Sequence, residues 1–296
     1  MDILNGVLNT IFNGLFAPFR GLNPWAAMLV VSLLTGILMI FIYKLTSNQE
    51  GILRAKNLIK AHLLELRLYK DSLGTSFRAY GGILWCNLKY VGHALRPMLV
   101  MIIPILLILV QLNAWFGYRS LHEGEQFLLK VTLVKEQNPL ETNLEIVPSP
   151  AYSIDTPAMR IDDEEERRGF LWSLLPHSWR GMKITKEIDW RLRAKDKGLH
   201  EIAFTLKGQR TVKTLAVDQR PLTRLSPLKP GRNFFDKAFN PSEPTLTKNL
   251  PIKSIEVVYP EARLNALGIR FHWLVAFFLL SIIFGFALKG VFRVEI

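Results

Sequence analysis

The chain holds one cysteine, Cys86, in 296 residues, which excludes an internal disulfide and leaves any domain outside the cytoplasm to rely on its apolar core. A catalytic signature is missing too. The six histidines, at 62, 93, 122, 177, 200 and 272, are scattered, and no Ser/His/Asp, Cys/His, metal-ligand or phosphate-loop spacing accompanies them. The expectation is therefore a protein that is not an enzyme and has no cofactor, metal or small-molecule substrate. The acidic run from Asp162 to Glu166 lacks the spaced ligands and glycine of a calcium loop and reads as a solvated face. The formal charge of +12 comes without a nucleic-acid motif, so no specific nucleic acid is expected as partner. The first 20 residues have neither the basic n-region nor the small-residue cleavage site of a signal peptide, and open with Asp2.

What is abundant is apolar sequence in long runs. Apolar residues make up 49% of the chain, and the mean hydropathy is +0.19 despite the charge. From Pro24 to Tyr43 no residue is charged, and about 20 residues at 1.5 Å each match a hydrocarbon core of roughly 30 Å. Met98 to Tyr118 meets the same test, as does Trp273 to Leu288 with its flanks Arg270, His272, Lys289 and Arg293. Trp25, Trp115, Tyr118 and Trp273 stand at the ends, where amphipathic rings favour the headgroup layer. Three transmembrane helices are expected, at 24–44, 97–118 and 271–292. Ahead of them, Ile3, Leu4, Val7, Leu8, Ile11, Phe12, Leu15, Phe16 and Phe19 recur at helical spacing while Asn5, Asn9 and Asn13 share another face. That pattern predicts an interfacial amphipathic helix over 1–22, lying on a bilayer.

Charge sets the orientation. The segment from Lys44 to Arg96 carries nine Lys/Arg against three acids, and short basic loops stay in the cytoplasm. The chain is thus expected in a prokaryotic inner membrane as a multi-pass protein, N-terminus outside and C-terminus cytoplasmic. Within that loop Ile52, Ile59, Leu66 and Leu73 fall seven apart, and after the turn Asp71–Thr75 a second stripe follows, Phe77, Tyr80, Leu84, Leu88, Val91 and Leu95. The spacing predicts a cytoplasmic antiparallel helical hairpin over 48–95, its two stripes packed on each other.

The segment 119–269 has a different texture. "QFLLKVTLV", "EIDWRLRAKDKGLHEIAFTLKGQRTVKTLAV" and "IKSIEVVYP" alternate apolar with polar residues and are split by turns at Lys197-Gly198 and Lys207-Gly208. Trp190, Leu192, Ile202, Phe204, Leu206, Val212, Leu215 and Val217 are the expected inner face of an extracytoplasmic all-β, immunoglobulin-like sandwich. Two insertions interrupt it, and their aromatics, Phe170 with Trp172 and Phe234, Phe235 with Phe239, suit a short helix resting on membrane or sandwich.

The order of interfacial helix, span, basic helical hairpin, and a span reading "RPMLVMIIPILLIL" resembles the YidC/Oxa/Get superfamily of membrane protein insertases, in the style of archaeal YidC-like proteins and the insertase subunit of the ER membrane complex. The resemblance covers residues 1–120 and extends to the last span. It is carried by Pro97, Met98, Ile103, Pro104 and Ile105 together with the architecture. What it implies is a groove among three core spans that receives the polar end of a client helix, whose charge otherwise costs at least ~3 kcal/mol at the bilayer centre. Implied partners are the lipid bilayer and nascent or client membrane proteins, with the ribosome or translocon nearby. Groove candidates are Ser32 and Thr35 in the first span, Lys44 at its inner end, Arg96 at the inner end of the second, and Ser281 in the third. Bacterial members carry an arginine inside the first core span, and this span has no charge before Lys44. Gln111 and Asn113 either line a cavity or meet the outer interface. The alternative to an insertase or membrane chaperone is a membrane-anchored adaptor whose external sandwich binds an envelope protein or polysaccharide.

Overall fold

The computed structural model describes residues 2–69, 73–166, 182–206, 208–231, 233–247, 250–266 and 268–292. The expected helix around Phe170–Leu175 and the residues Asp71 and Ser72 of the hairpin turn lie outside them. The helices are α1 (Asp2–Phe16, followed by a 3-10 turn Ala17–Phe19), α2 (Pro24–Thr46), α3 (Gln49–Leu68), α4 (Leu73–Phe116), α5 (Phe234–Phe239) and α6 (Trp273–Leu288). The strands are β1 (Gln126–Leu133), β2 (Glu145–Ile146), β3 (Tyr152–Glu166), β4 (Met182–Ala194), β5 (Gly198–Leu206), β6 (Gln209–Val217), β7 (Leu228–Pro230), β8 (Ile252–Val257), β9 (Leu264–Ala266) and β10 (Ile269–Phe271). They divide into two compact units, Met1–Pro24 with Val110–Arg270, and Trp25–Leu109 with Phe271–Ile296.

The second of these units is helical. Among the described residues two helices, α2 and α4, are long and apolar enough to cross a membrane. α6 is apolar but has 16 residues, roughly 24 Å at 1.5 Å per residue. α3 begins where Asn48 Oδ1 accepts the Gly51 N–H at 2.9 Å, a side-chain cap on an otherwise orphaned donor. α6 starts the same way, with His272 Nδ1 accepting from the Leu274 N–H. α4 runs 44 residues without a break although Pro97 and Pro104 each remove a backbone donor.

The hairpin packs on a different face of α4 from the expected one. α3 buries Ile52 and Ala55 and half-buries Ile59, His62 and Leu66. α4 meets it through small residues. A Cβ at Gly82 would stand 2.7 Å from the His62 ring, and one at Gly51 would stand 2.9 Å from His93 Nε2. Ala79 and Cys86, on that same face of α4, are buried. The stripe from Phe77 to Leu95 is exposed instead, Leu84 by 71%. Heptad spacing identifies two apolar stripes, but only the small residues let the backbones approach closely, and that advantage decides which face turns inward.

The other unit is built on β-structure. One sheet has the order β3-β4-β1-β8-β7, a second β2-β5-β6, and β9 pairs with β10. Strand pairs within the two larger sheets are antiparallel. Phe127, Leu129, Val131 and Leu133 of β1 point inward at the period of two that a pleated strand imposes. They share one core with Ile188, Trp190 and Leu192 of β4, Ile202 and Phe204 of β5, Leu215 and Val217 of β6, and Ile255 and Val257 of β8. The Trp190 and Phe204 rings, from different sheets, lie 6.3 Å apart. Strand β1, flanked by β4 and β8, sits inside its sheet, so the order departs from the A-B-E-D and C-F-G sheets of an immunoglobulin constant-type domain. Val212 is only half-buried, and the inward positions of β6 are Thr211, Lys213, Leu215 and Val217. The acidic run forms the far end of β3, where Asp162 faces Lys186 across the ladder at 3.4 Å.

Residues 1–24 and 110–118, assigned by sequence to the membrane part, cluster with this β unit. Phe16 is fully buried, its ring centroid 5.0 Å from Trp115 and 5.6 Å from Phe116. Asn5 Nδ2 donates to the Lys237 carbonyl at 3.1 Å and Asn9 Nδ2 to the Pro241 carbonyl at 2.8 Å. The asparagine face of α1 is therefore turned to protein rather than to water, while Ile3, Leu4, Val7 and Ile11 face outward.

Candidate functional site

Within the helical unit α2, α4 and α6 enclose a cavity of about 560 Å³. Its walls are almost wholly apolar. Three methionines line it, Met39 from α2 and Met98 and Met101 from α4, beside Ile105, Phe277 and Phe278. Polar groups enter at Thr35, Ser281, Tyr43 and Tyr90. α2 and α6 approach closely here because Gly36 has no side chain: a Cβ on it would stand 3.3 Å from the Ser281 carbonyl oxygen.

The five sequence-derived groove residues divide. Thr35 and Ser281 share the cavity. Ser32 is fully buried and is not among the lining residues, while Lys44 and Arg96 are exposed away from it. The hydroxyls of Ser32 and Ser281 have no hydrogen-bond partner among the described residues. A buried hydroxyl left so costs about 1–3 kcal/mol, which a donor or acceptor arriving from elsewhere would recover. Sequence reasoning sought polar groups in the spans and so passed over the methionines. The signal available was their count, Met98 and Met101 a helical turn apart on α4 and Met39 on α2.

A second cluster, in the β unit, was also missed. Arg224 is half-buried among neutral oxygens. Its guanidinium donates to Asn9 Oδ1, to Asn13 Oδ1 at 3.5 Å, to Gln111 Oε1 at 3.2 Å and to Ser242 Oγ at 3.3 Å. No carboxylate answers it among the described residues, and burial pulls its pKa down to about 10. Gln111, expected in a cavity or at an interface, is buried and also donates to Asn9 at 3.0 Å. Arg224 thus ties the polar face of α1 to the last turns of α4. Nearby Lys213 is fully buried and bonded to Glu243 at 2.6 Å and to the Ser226 carbonyl. Burial depresses the Lys213 ammonium, and Glu243 opposes that shift. Among the described residues no three His, Cys, Asp or Glu side chains gather as metal ligands.

Compared with protein-family models, curated proteins and solved structures, the chain matches none of them. What fold and cavity define is a class: a helical unit with two helices able to cross a membrane, and a separate β-sheet unit.

Proposed function

We propose that the chain is a membrane protein insertase or membrane chaperone of the YidC/Oxa type, with α2, α4 and α6 as its three spans, the α3–α4 hairpin in the cytoplasm and the β unit outside. The observation that carries this reading is the methionine-lined cavity between the three helices. Methionine is unbranched and polarizable, and surfaces rich in it repack around apolar partners of different shape, as a protein handling many client helices requires. Thr35, Tyr43 and Tyr90 give such a client a few polar contacts in an otherwise apolar wall. Site-specific photocrosslinking from Met101 and Thr35 during synthesis of single-span membrane proteins is the test. Adducts to the nascent span are expected. Adducts to lipid alone, with envelope proteins crosslinking only from the β unit, would replace the insertase with the adaptor.

A further inference from the structure

A second cavity, of about 400 Å³, opens in the β unit between α1 and the chain that follows α5. α1 contributes Asn5 and Asn9, α5 contributes Lys237, and the segment after it contributes Ser242, Glu243 and Thr245. Its chemistry is that of an anion site. Glu243 is 8% exposed at its side chain and binds Lys213 through Oε1, so that pair adds no net charge, while its Oε2 is buried with no partner among the described residues and a phosphate must keep clear of it. Lys237 makes no ion pair among the described residues and leaves the cavity one positive charge. Ser242 Oγ accepts the Arg224 Nε–H at 3.3 Å, so its own proton is free to donate, and Thr245 also lines the cavity. An ammonium with two hydroxyl donors suits a phosphate group.

The frame of the cavity says where that phosphate comes from. Both flanking helices turn apolar residues outward: Ile3, Val7 and Ile11 on α1, with Ile3 85% exposed, and Phe234, Phe235 and Phe239 on α5, with Phe235 71% exposed. α1 inverts the usual amphipathic order, its asparagines inward and its aliphatics outward, which is favourable only against an apolar medium. Seven residues, 17–23, join α1 to α2. That segment spans at most about 25 Å fully extended, which limits how far the end of α1 can stand from the start of α2. From a polar cavity walled by two outward-apolar helices, we infer that this is a phospholipid headgroup site, with Lys237, Ser242 and Thr245 on the phosphate and α1 and α5 seated among the acyl chains. The site requires the membrane reading of α2 and is independent of insertase activity.

The test uses the full chain in nanodiscs of phosphatidylethanolamine and phosphatidylglycerol, moved into detergent and weighed intact by native mass spectrometry. One phospholipid is expected to stay bound. Lys237→Glu should lower its retention at least fivefold, and so should Gly6→Phe, which fills the cavity from α1. A Cβ on Gly6 meets no atom within 4 Å, and helix propensity rises on leaving glycine, so a folding defect does not explain the loss. Lys135→Glu, an exposed charge change elsewhere on the unit, should retain the lipid. Equal retention in all these variants would overturn the site. Soluble phosphoethanolamine displacing the lipid at matching concentration would overturn its assignment to the membrane.

Discussion

Asp189 and Lys213 are both buried charges in the β unit, and they differ in whether a counter-charge bonds to them. Lys213 has Glu243 at 2.6 Å. Lys213→Met should cost about 3–5 kcal/mol because Glu243 is left buried and unpaired, and adding Glu243→Leu should recover much of it. Thermal unfolding of the two variants separates these outcomes. Asp189 is 8% exposed, and its Oδ1 has no partner among the described residues. Burial raises its pKa above the ordinary carboxylate value, Glu187 and Glu256 add to this, and Lys130 opposes it. For an acid whose folded pKa is raised, the charge destabilises the fold at neutral pH, and the cost fades as pH falls through the folded pKa towards the unfolded one. Asp189→Asn should therefore stabilise the chain by about 1 kcal/mol at pH 7, with the gain gone near pH 4. A gain independent of pH would contradict the assignment. The sequence pattern puts Val212 on the inner face and the structure turns Lys213 inward instead; its partner lies 30 residues on, in a proline-rich loop, so sequence offered no reason to accept a lysine there.

Among the elements, α4 carries the clearest difference between pattern and packing. Its stripe Phe77, Tyr80, Leu84, Leu88, Val91 and Leu95 has the spacing of a buried seam, and the seam is made instead by Ala79, Gly82, Cys86 and His93. Periodicity reports which faces are apolar. It does not report which of two apolar faces allows the closer approach. Leu84→Ser should change stability by less than about 0.5 kcal/mol, whereas Cys86→Trp, forced against α3, should cost about 1–3 kcal/mol. Thermal melts of the helical signal would distinguish them, and a large loss from Leu84→Ser would restore the stripe to the seam. α1 was legible as amphipathic, but the destination of its asparagines was not, because Arg224 lies more than 200 residues away. Arg224→Ala leaves the Gln111 amide oxygen unpaired and takes from Asn9 Oδ1 one of its two donors, Gln111 Nε2 remaining, and should weaken α1 docking by about 1–2 kcal/mol. Faster proteolysis within residues 2–16 is the readout.

For the whole molecule, composition made the two long apolar helices and the β region visible, because an uncharged run of 20 residues and a period of two are local signals. The partition into units was hidden. Phe16 gives no local sign that it packs on Trp115 and Phe116, a hundred residues on, and so joins residues 1–24 to the β unit. The proposed orientation rests on charge, nine cations to three acids between Lys44 and Arg96, and puts the β unit on the side opposite that loop as an expectation to be tested. In a Cys86→Ser background, Asn57→Cys on α3 and Glu136→Cys beyond β1 are both exposed and test the two sides. An impermeant maleimide added to intact cells should label position 136 and leave 57 unlabelled until the membrane is opened. Replacing Arg54, Lys56, Lys60 and Arg67 by glutamate leaves five cations against seven acids in the loop, and should expose part of position 57 to the outside reagent. If position 57 is labelled in the unaltered loop, the hairpin is external, and the cytoplasmic placement of the α3–α4 hairpin on which the insertase proposal depends is lost.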